Sequence, residues 1–420
     1  MKRPWFWPLG PASVLLPSAA ILVVVLAGTW PRLGWPYPRW VETSTQFHQQ
    51  FLWAGMIAGT AACFYAVRMN KGDRLFVQPR APRLGGPVAS RHLSLLIGWY
   101  AGAYSLALAP LVVTTALRGV GSPDVPVMVS GVVAMAAATA LGYAIGTVAP
   151  ALLAVPITAI GFYALLIAGF ANQGDWSTVA PVLFNEPKLG QRESTALVIF
   201  RTALFSVVAL SAIGLAVTLL RGMAMGVSSM RRWGAVVAYV VLPVSMAAVS
   251  LTDPPVLFAV EQDPSSRCER ALELTFCVHA DNAPRMRQLI DRVEPLLARY
   301  GSKPVQFDQI WDQSLVMGGI STDKVGQARI VWIRGDGVID LGGVDTDLAG
   351  IYACAAGPDA PPPPQASAIS EDIDRFLAST GAPDSGAFAG MSVEQVQGWI
   401  RDHQRKVATC ALTDEDLPRR

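Results

Sequence analysis

The sequence predicts a multi-pass α-helical membrane protein of about seven transmembrane helices, followed by a small soluble α+β domain. Hydrophobic residues make up 52% of the 420-residue chain and charged residues only 15%, a balance typical of membrane proteins. The longest charge-free run covers the fifty residues between Asp124 and Asp175. Such a run is too long for one membrane helix of about 20 residues and suits two helices joined by a tight turn.

The charges divide the chain into two parts. Residues 1–252 carry 17 basic and 6 acidic side chains, a net charge of +11, whereas residues 253–420 carry 16 basic and 25 acidic ones, a net charge of −9. We therefore expect a transmembrane domain over 1–252 and an extracytoplasmic domain over 253–420. Arg outnumbers Lys by 27 to 6, which suggests a high-GC bacterial genome.

Seven apolar segments follow one another in the first part. No small-x-small cleavage site follows the first of them, so we interpret it as a retained span and not as a signal peptide. Four aromatic residues between positions 30 and 40 are typical of a membrane interface. The turn inside the uncharged run is predicted at 146–150, because Pro150 cannot extend the preceding helix. The predicted spans are about 12–30, 51–67, 93–117, 125–147, 151–171, 194–220 and 233–251.

The Lys and Arg residues of the loops predict the orientation. With a cytoplasmic N-terminus, the inner segments hold eleven of them and the outer links five, as the positive-inside rule requires. Seven spans then place the C-terminal domain outside the plasma membrane. If the first segment does not cross, six spans would invert either the tail or the loops.

The C-terminal domain has enough residues for a core of its own. Alternating or continuous apolar residues predict strands at 272–278, 305–311 and 329–333. Helical periodicity predicts helices at 284–300, 370–378 and 392–409, the last of which begins with a capping box of Ser392 and Gln395. His279, which follows the first strand, is expected to be structural.

Four of the five cysteines lie in this domain, which on the outer face of a membrane favours disulfides. Three pairings are possible. We favour Cys268 with Cys277, which are close in sequence, and Cys354 with Cys410. A reduced or metal-bound set is the alternative, although no CxxC or His-spaced pattern predicts a metal site.

The loop 68–92 carries six cationic side chains against one acidic residue. One interpretation is that these charges only set the topology and attract anionic lipids. The other is a docking site, because apolar residues interrupt the cationic loop and an exposed apolar cluster usually has a partner. The docking candidates are Arg74, Leu75, Phe76 and Val77.

Helix packing and one intramembrane charge supply the other candidates. Glycine pairs at GxxxG spacing allow helix backbones to approach closely, either within a bundle or at a dimer face. These pairs are Gly55 with Gly59, Gly98 with Gly102, and Gly142 with Gly146.

Arg201 is the only charge in its span and is therefore a functional candidate. The alternative, which its shallow position favours, is that it extends to the lipid headgroups. Polar candidates for a translocation path, each also explicable as an intrahelical or interfacial residue, are Tyr100, Tyr104, Ser105, Thr114, Thr139, Tyr143, Thr202 and Ser206.

Motifs of common enzymes are missing from the sequence. It contains no GxxxxGK[ST], no HExxH and no GxSxG, and only four histidines. We therefore predict that the chain is not an enzyme, needs no cofactor and holds no metal, and that any ATP hydrolysis belongs to a partner chain.

This pattern resembles that of the ABC-2-type transporter permeases over about residues 1–222. In that family a cytoplasmic loop between spans two and three contacts a separate ATPase, spans four and five are tightly joined, and an outer re-entrant segment precedes span six. Here 68–92 matches the loop, 147–151 the tight turn and 172–193 the outer segment. The run 141–150, LGYAIGTVAP, is similar to the small-residue run that ends the fourth span of the family.

The resemblance implies a membrane subunit that dimerises with an identical or a related permease chain. It also implies coupling to a cytoplasmic ATPase and export of a hydrophobic or peptide-like solute. A seventh span and the outer domain depart from the family pattern, although variants with such additions resemble permeases of high-GC bacteria. The alternative is a membrane-anchored extracytoplasmic binding or sensing protein without transport activity. Neither hypothesis involves nucleic acid.

Overall fold

The computed structural model describes residues 10–70, 85–171, 176–183, 185–224, 229–317, 328–355 and 364–417. The chain forms two compact units, which divide between residues 259 and 260. Seven helical stretches among the described residues, all in the first unit, are long and apolar enough to cross a membrane. The docking candidates Arg74, Leu75, Phe76 and Val77 lie outside the described residues.

The first unit is a helix bundle. Its helices are α1 (Pro11–Leu33), α2 (Trp40–Gln49), α3 (Phe51–Met69), α4 (Gly85–Arg118), α5 (Val125–Val148), α6 (Ala154–Ala171), α7 (Trp176–Val179), α8 (Thr195–Ala224) and α9 (Ser229–Thr252). Strand β1 (Gln191–Glu193) precedes α8 and pairs with β2 (Phe258–Val260), in which the first unit ends. All seven predicted spans coincide with helices of this bundle.

Two elements differ from the sequence prediction. The link before the second span contains helix α2, which runs almost directly into α3. Its polar side chains Ser44, Gln46 and His48 are buried, so hydropathy alone could not distinguish this helix from a solvated loop. The turn of the uncharged hairpin covers 149–153 and not 146–150, because α5 continues to Val148.

Glycines let α3 and α5 approach closely. A Cβ atom on Gly142 would clash with the carbonyl oxygen of Gly59, and one on Gly146 would clash with that of Cys63. The α5 pair therefore packs against α3, where Gly142 meets Gly59 of the α3 pair. A Cβ on Gly55 would clash with the Phe51 ring of its own helix.

The third pair has a different environment. No atom lies within 4 Å of a Cβ built on Gly98 or Gly102 of α4. Close packing therefore does not require glycine at these two positions.

The second unit is built on a mixed five-stranded sheet of order β3-β4-β5-β6-β7. The strands are β3 (Ser266–Ala271), β4 (Leu274–His279), β5 (Gln309–Asp312), β6 (Ala328–Ile333) and β7 (Ile339–Asp340). The inner three are parallel and the two edge strands antiparallel to their neighbours. Helix α10 (Met286–Tyr300) connects β4 to β5, a βαβ arrangement that is more specific than the predicted α+β class.

Short and long helices complete the second unit. They are α11 (Gln313–Val316), α12 (Val344–Leu348), α13 (Ile351–Ala355), α14 (Pro364–Ala378) and α15 (Val393–Ala408). Apolar side chains of the sheet and of α10, α14 and α15 form one core, which is separate from that of the bundle. The predicted capping box is present at the start of α15, where Ser392 and Gln395 bond each other's backbone N–H groups.

The two favoured disulfide pairings are those found. Cys268 and Cys277 lie directly opposite each other on β3 and β4. They thus fix the register of a hairpin whose turn residues, Leu272 and Glu273, have φ angles of +52° and +62° without being glycine or asparagine. The second disulfide joins Cys354 on α13 to Cys410 just after α15.

Cys410 also ends a helix in an unusual way. Its φ angle is +52°, in the left-handed region that glycine usually occupies after a helix. The next residue donates its backbone N–H to the carbonyl of Lys406 at 2.9 Å, as in a Schellman motif. The bond to Cys354 therefore explains why a cysteine occupies a position that favours glycine.

We predict that Gly142→Ala destabilises the bundle, because the added Cβ overlaps a backbone oxygen of α3 that no side-chain rotation can move. Overpacking of this kind costs about 1–3 kcal/mol or more. Thermal unfolding of the detergent-purified protein should show a clear loss of stability. Gly98→Ala is the matched control and should cost nothing, because its Cβ has open space. Equal melting temperatures for the two variants would contradict the close approach of α3 and α5.

Candidate functional site

A segment between α6 and α8 returns into the bundle and is held there by Arg201. We call residues 176–183 and 185–193 the α6–α8 segment. The guanidinium of Arg201 is fully buried and donates to the carbonyl oxygens of Ser177 and Ala180, the latter at 3.0 Å. It also donates to Glu193 Oε2 at 3.1 Å. The side chain thus turns inward to this segment and not outward to the surface, as the headgroup interpretation required.

Glu193 and His48 complete a buried ion cluster. The side chains of Glu193, His48 and Arg201 are all 0% exposed. His48 Nδ1 lies 2.9 and 2.8 Å from the two oxygens of Glu193 and 3.2 Å from a guanidinium nitrogen of Arg201. A guanidinium can only donate hydrogen bonds. His48 Nδ1 would therefore have to accept from Arg201 and donate to Glu193, and a single nitrogen cannot do both. The shorter distances favour an Nδ1–H that donates to the carboxylate.

The carboxylate of Glu193 is stabilised in its ionised form. Burial by itself would raise the pKa of Glu193, but His48 and Arg201 outweigh burial and hold this pKa below its ordinary value. Glu193 lies in β1, just before the apolar stretch of α8. The cluster therefore contains a carboxylate and a guanidinium that compensate each other where no water reaches them.

Arg201 also satisfies two backbone carbonyls that have no partner within a helix. The carbonyls of Ser177 and Ala180 lie at or just beyond the single turn of α7, where the next residues continue no helix. Non-helical backbone at membrane depth is tolerated only where protein groups satisfy it. Arg201 is six residues, or about 9 Å of helix, from the start of α8. The guanidinium thus supplies hydrogen-bond donors to the carbonyls of this irregular segment, at a level below the start of α8.

Further polar contacts attach the α6–α8 segment to the neighbouring helices. Ser177 donates to the carbonyl of Gly169 on α6 at 2.7 Å, and Gln49 on α2 donates to the carbonyl of Leu183 at 2.8 Å. Arg32 on α1 forms a 2.7 Å ion pair with Glu186. The segment is therefore connected to three helices in addition to α8.

An apolar cavity of about 380 Å³ lies next to this segment. Residues of α5, α6, α8 and α9 line its sides, among them Ala138, Phe162, Phe205 and Val244. On α8 the lining begins at Leu204, one helical turn past Arg201. Three residues of the α6–α8 segment also line the cavity, namely Trp176, Val179 and Pro181. The ion cluster thus positions the segment that closes one end of the cavity.

The polar path candidates do not gather at this cavity. Four of them donate to the carbonyl four residues earlier in their own helix, namely Thr114, Thr139, Thr202 and Ser206. Tyr100 and Tyr104 donate to the carbonyls of Ser13 and Phe47 on other helices. Tyr143 bonds His92 Nδ1 at 2.9 Å. The three tyrosines therefore join helices to one another, and none of the eight candidates, Ser105 included, is among the described residues that line the cavity.

Sequence reasoning did not select Glu193 and His48. A signal for Glu193 was available, because an arginine inside an apolar span needs a carboxylate and Glu193 is the nearest one, eight residues before it. His48 gave no such signal, since it is separated from Glu193 by 145 residues.

We predict that Arg201→Met costs about 3–5 kcal/mol of stability, because it removes the guanidinium that compensates the buried Glu193 carboxylate and leaves two backbone carbonyls without their donor. The free energy of unfolding in detergent measures this loss. Arg192→Met removes an exposed guanidinium of the same segment and should change stability by less than about 0.5 kcal/mol. The double variant Arg201→Met with Glu193→Gln should lose less than the sum of its single variants. Strict additivity would contradict a coupled pair.

The comparisons with known proteins give no further guide to this site. No protein-family model matches the chain, and neither a curated protein nor a solved structure matches it. Its chemistry follows from its own geometry: a neutralised ion cluster, an anchored irregular segment and an apolar cavity beside it.

Proposed function

We propose that this chain is the membrane-spanning permease subunit of an ABC-type transporter. In this proposal it pairs with an identical or a related permease chain and couples to a separate cytoplasmic ATPase. It moves a hydrophobic or peptide-like solute, in the direction of export. The chain then lies in a bacterial plasma membrane with its N-terminus in the cytoplasm and its C-terminal unit outside.

The α6–α8 segment is the observation that carries this proposal. The ABC-2-type permeases, which the sequence resembles, have an outer re-entrant segment before their sixth span. In this chain a segment at the same place in the order of spans is anchored below the start of α8 by a buried arginine. A helix bundle that served only as an anchor would not need a costly buried charge to hold irregular backbone next to a cavity.

The proposal assigns ATPase docking to the cationic loop between α3 and α4. We predict that a P-loop ATPase co-purifies with the full chain and that Leu75→Asp with Phe76→Asp abolishes this association, because the apolar contact is replaced by charge. Gln78→Asp with Ala81→Asp adds the same charge to the same loop and should preserve it. Co-purification that is indifferent to Leu75→Asp and Phe76→Asp would refute the docking site. Loss with both double variants would favour a purely topological role of the loop charge.

A second candidate function is an extracytoplasmic binding or sensing protein with a membrane anchor. It is favoured by one observation, namely that the second unit has its own apolar core and two disulfides. Under this alternative, an unrelated membrane anchor could replace residues 1–252 without loss of ligand binding. The ATPase experiment separates the two functions, because only the permease requires the partner.

The extracytoplasmic placement has its own test. We predict that a membrane-impermeant thiol reagent labels intact cells only after reduction, because Cys268 is exposed but disulfide-bonded. The free Cys63 is buried in α3 and should contribute nothing, which a Cys63→Ala control checks. Labelling without reductant would contradict the disulfides. No labelling after reduction would contradict the outer position of the second unit.

A further inference from the structure

The apolar cavity has a mouth, because some of its lining residues are also exposed. Leu165 on α6 is 37% exposed, and Val240 and Val244 on α9 are 42% and 57% exposed. Helix α6 packs on α3, α5 and α7, whereas α9 packs on α8 and α7. The cavity therefore opens sideways between α6 and α9, through a rim made of apolar side chains.

We propose that this cavity binds an acyl chain of a membrane lipid, which enters sideways between α6 and α9. The proposal rests on the membrane insertion contained in the proposed function, but not on transport or on an ATPase. The lipid headgroup stays at the mouth, and the chain lies along α8 with the α6–α8 segment closing one end.

The shape of the cavity suits a chain. Its lining runs from Leu204 to Leu215 on α8 and from Tyr239 to Leu251 on α9, which corresponds to a length of about 16–18 Å. A volume of about 380 Å³ falls within the usual range of ligand pockets. The cavity is thus elongated, as a site for a hydrocarbon chain has to be.

The chemistry of the lining excludes polar occupants. Among the described residues no charged side chain lines the cavity, and its only side-chain hydroxyls are those of Ser211 and Tyr239, the second of which lies 3.3 Å from Thr218 Oγ1. The nearby carbonyls of Ser177 and Ala180 are satisfied by Arg201. A polar ligand would lose its hydrogen bonds to water without replacement, and ordered water needs two to four polar partners. A hydrocarbon chain has no such requirement.

The position of the mouth indicates which apolar molecules can enter the cavity. A rim of leucine and valine between two spans faces the hydrocarbon of the bilayer and not an aqueous phase. Lipid chains are the most abundant apolar molecules there. A lipid chain therefore reaches this site without passing through water.

Photolabelling tests the proposal. The full chain is reconstituted into vesicles of phosphatidylcholine that carries a diazirine at the end of one acyl chain, and the adducts are located by peptide mass spectrometry. We expect adducts on the lining part of α8, where Leu204 and Leu215 are 3% and 5% exposed and ordinary surrounding lipid has no access. The absence of such adducts would overturn the proposal.

A matched pair of variants separates the cavity from the lipid-facing surface. Ala247 lines the cavity, whereas its neighbour Ala248 on α9 is exposed and does not. Ala247→Phe should lower labelling of the α8 lining by roughly tenfold or more, as expected when a site is filled, whereas Ala248→Phe should leave it unchanged. Equal labelling of the two variants would overturn the proposal.

A second variant and the ATPase experiment distinguish loss of the lipid site from misfolding and from loss of the proposed transport function. If Ala247→Phe does not fold, Ser211→Phe, which fills the same cavity from α8, replaces it. Loss of ATPase co-purification with intact labelling would remove the proposed function and leave the lipid site. Intact ATPase co-purification without labelling of α8 would overturn the lipid site and leave the proposed function.

Discussion

A guanidinium buried in a bundle of apolar helices has to be neutralised and hydrogen-bonded, and much of one end of this bundle follows from how Arg201 meets that requirement. Its charge is compensated by Glu193, which is itself bonded to His48. Its second terminal nitrogen donates to the backbone of the α6–α8 segment. Because an uncompensated buried charge would cost several kcal/mol, the three helices that supply these groups are constrained together.

The apolar cavity depends on this polar arrangement. Trp176, Val179 and Pro181 line the cavity only because their backbone is held inside the bundle. Without the guanidinium, the carbonyls of this segment would have to find water, and the segment would have to move outward to reach it. A polar cluster and an apolar space that share no side chain are thus parts of one structure.

The sequence predicted those features that depend on local composition. Hydropathy located the seven long apolar helices of the described residues, because a helix satisfies its own backbone and apolar side chains alone mark it as able to cross a membrane. The favoured disulfide pairings were also found, since Cys268 and Cys277 are nine residues apart and the other two cysteines are the remaining pair. The start of α15 was predictable from Ser392 and Gln395, because these two residues cap the helix locally.

Features that depend on distant partners were not predictable in this way. Helix α2 reads as polar, and only its burial against β1 and neighbouring helices explains its position. Strand β3 was missed because its side chains are exposed and polar and its turn has no glycine. The parallel pairing of β4, β5 and β6 joins strands separated by helices, so no single stretch of sequence indicates it. The docking candidates 74–77 stay predictions.

The separation between His48 and its partners has a consequence for how the protein is made. His48 precedes Glu193 by 145 residues in the chain. Until α8 is synthesised, the imidazole on α2 has no carboxylate partner, and an α8 without Glu193 would bring an uncompensated guanidinium into the bundle. Glu193 is carried in with Arg201, so these two can enter as a neutral unit. The ion cluster is therefore completed only when α8 docks on α2, after most helices of the bundle have been synthesised.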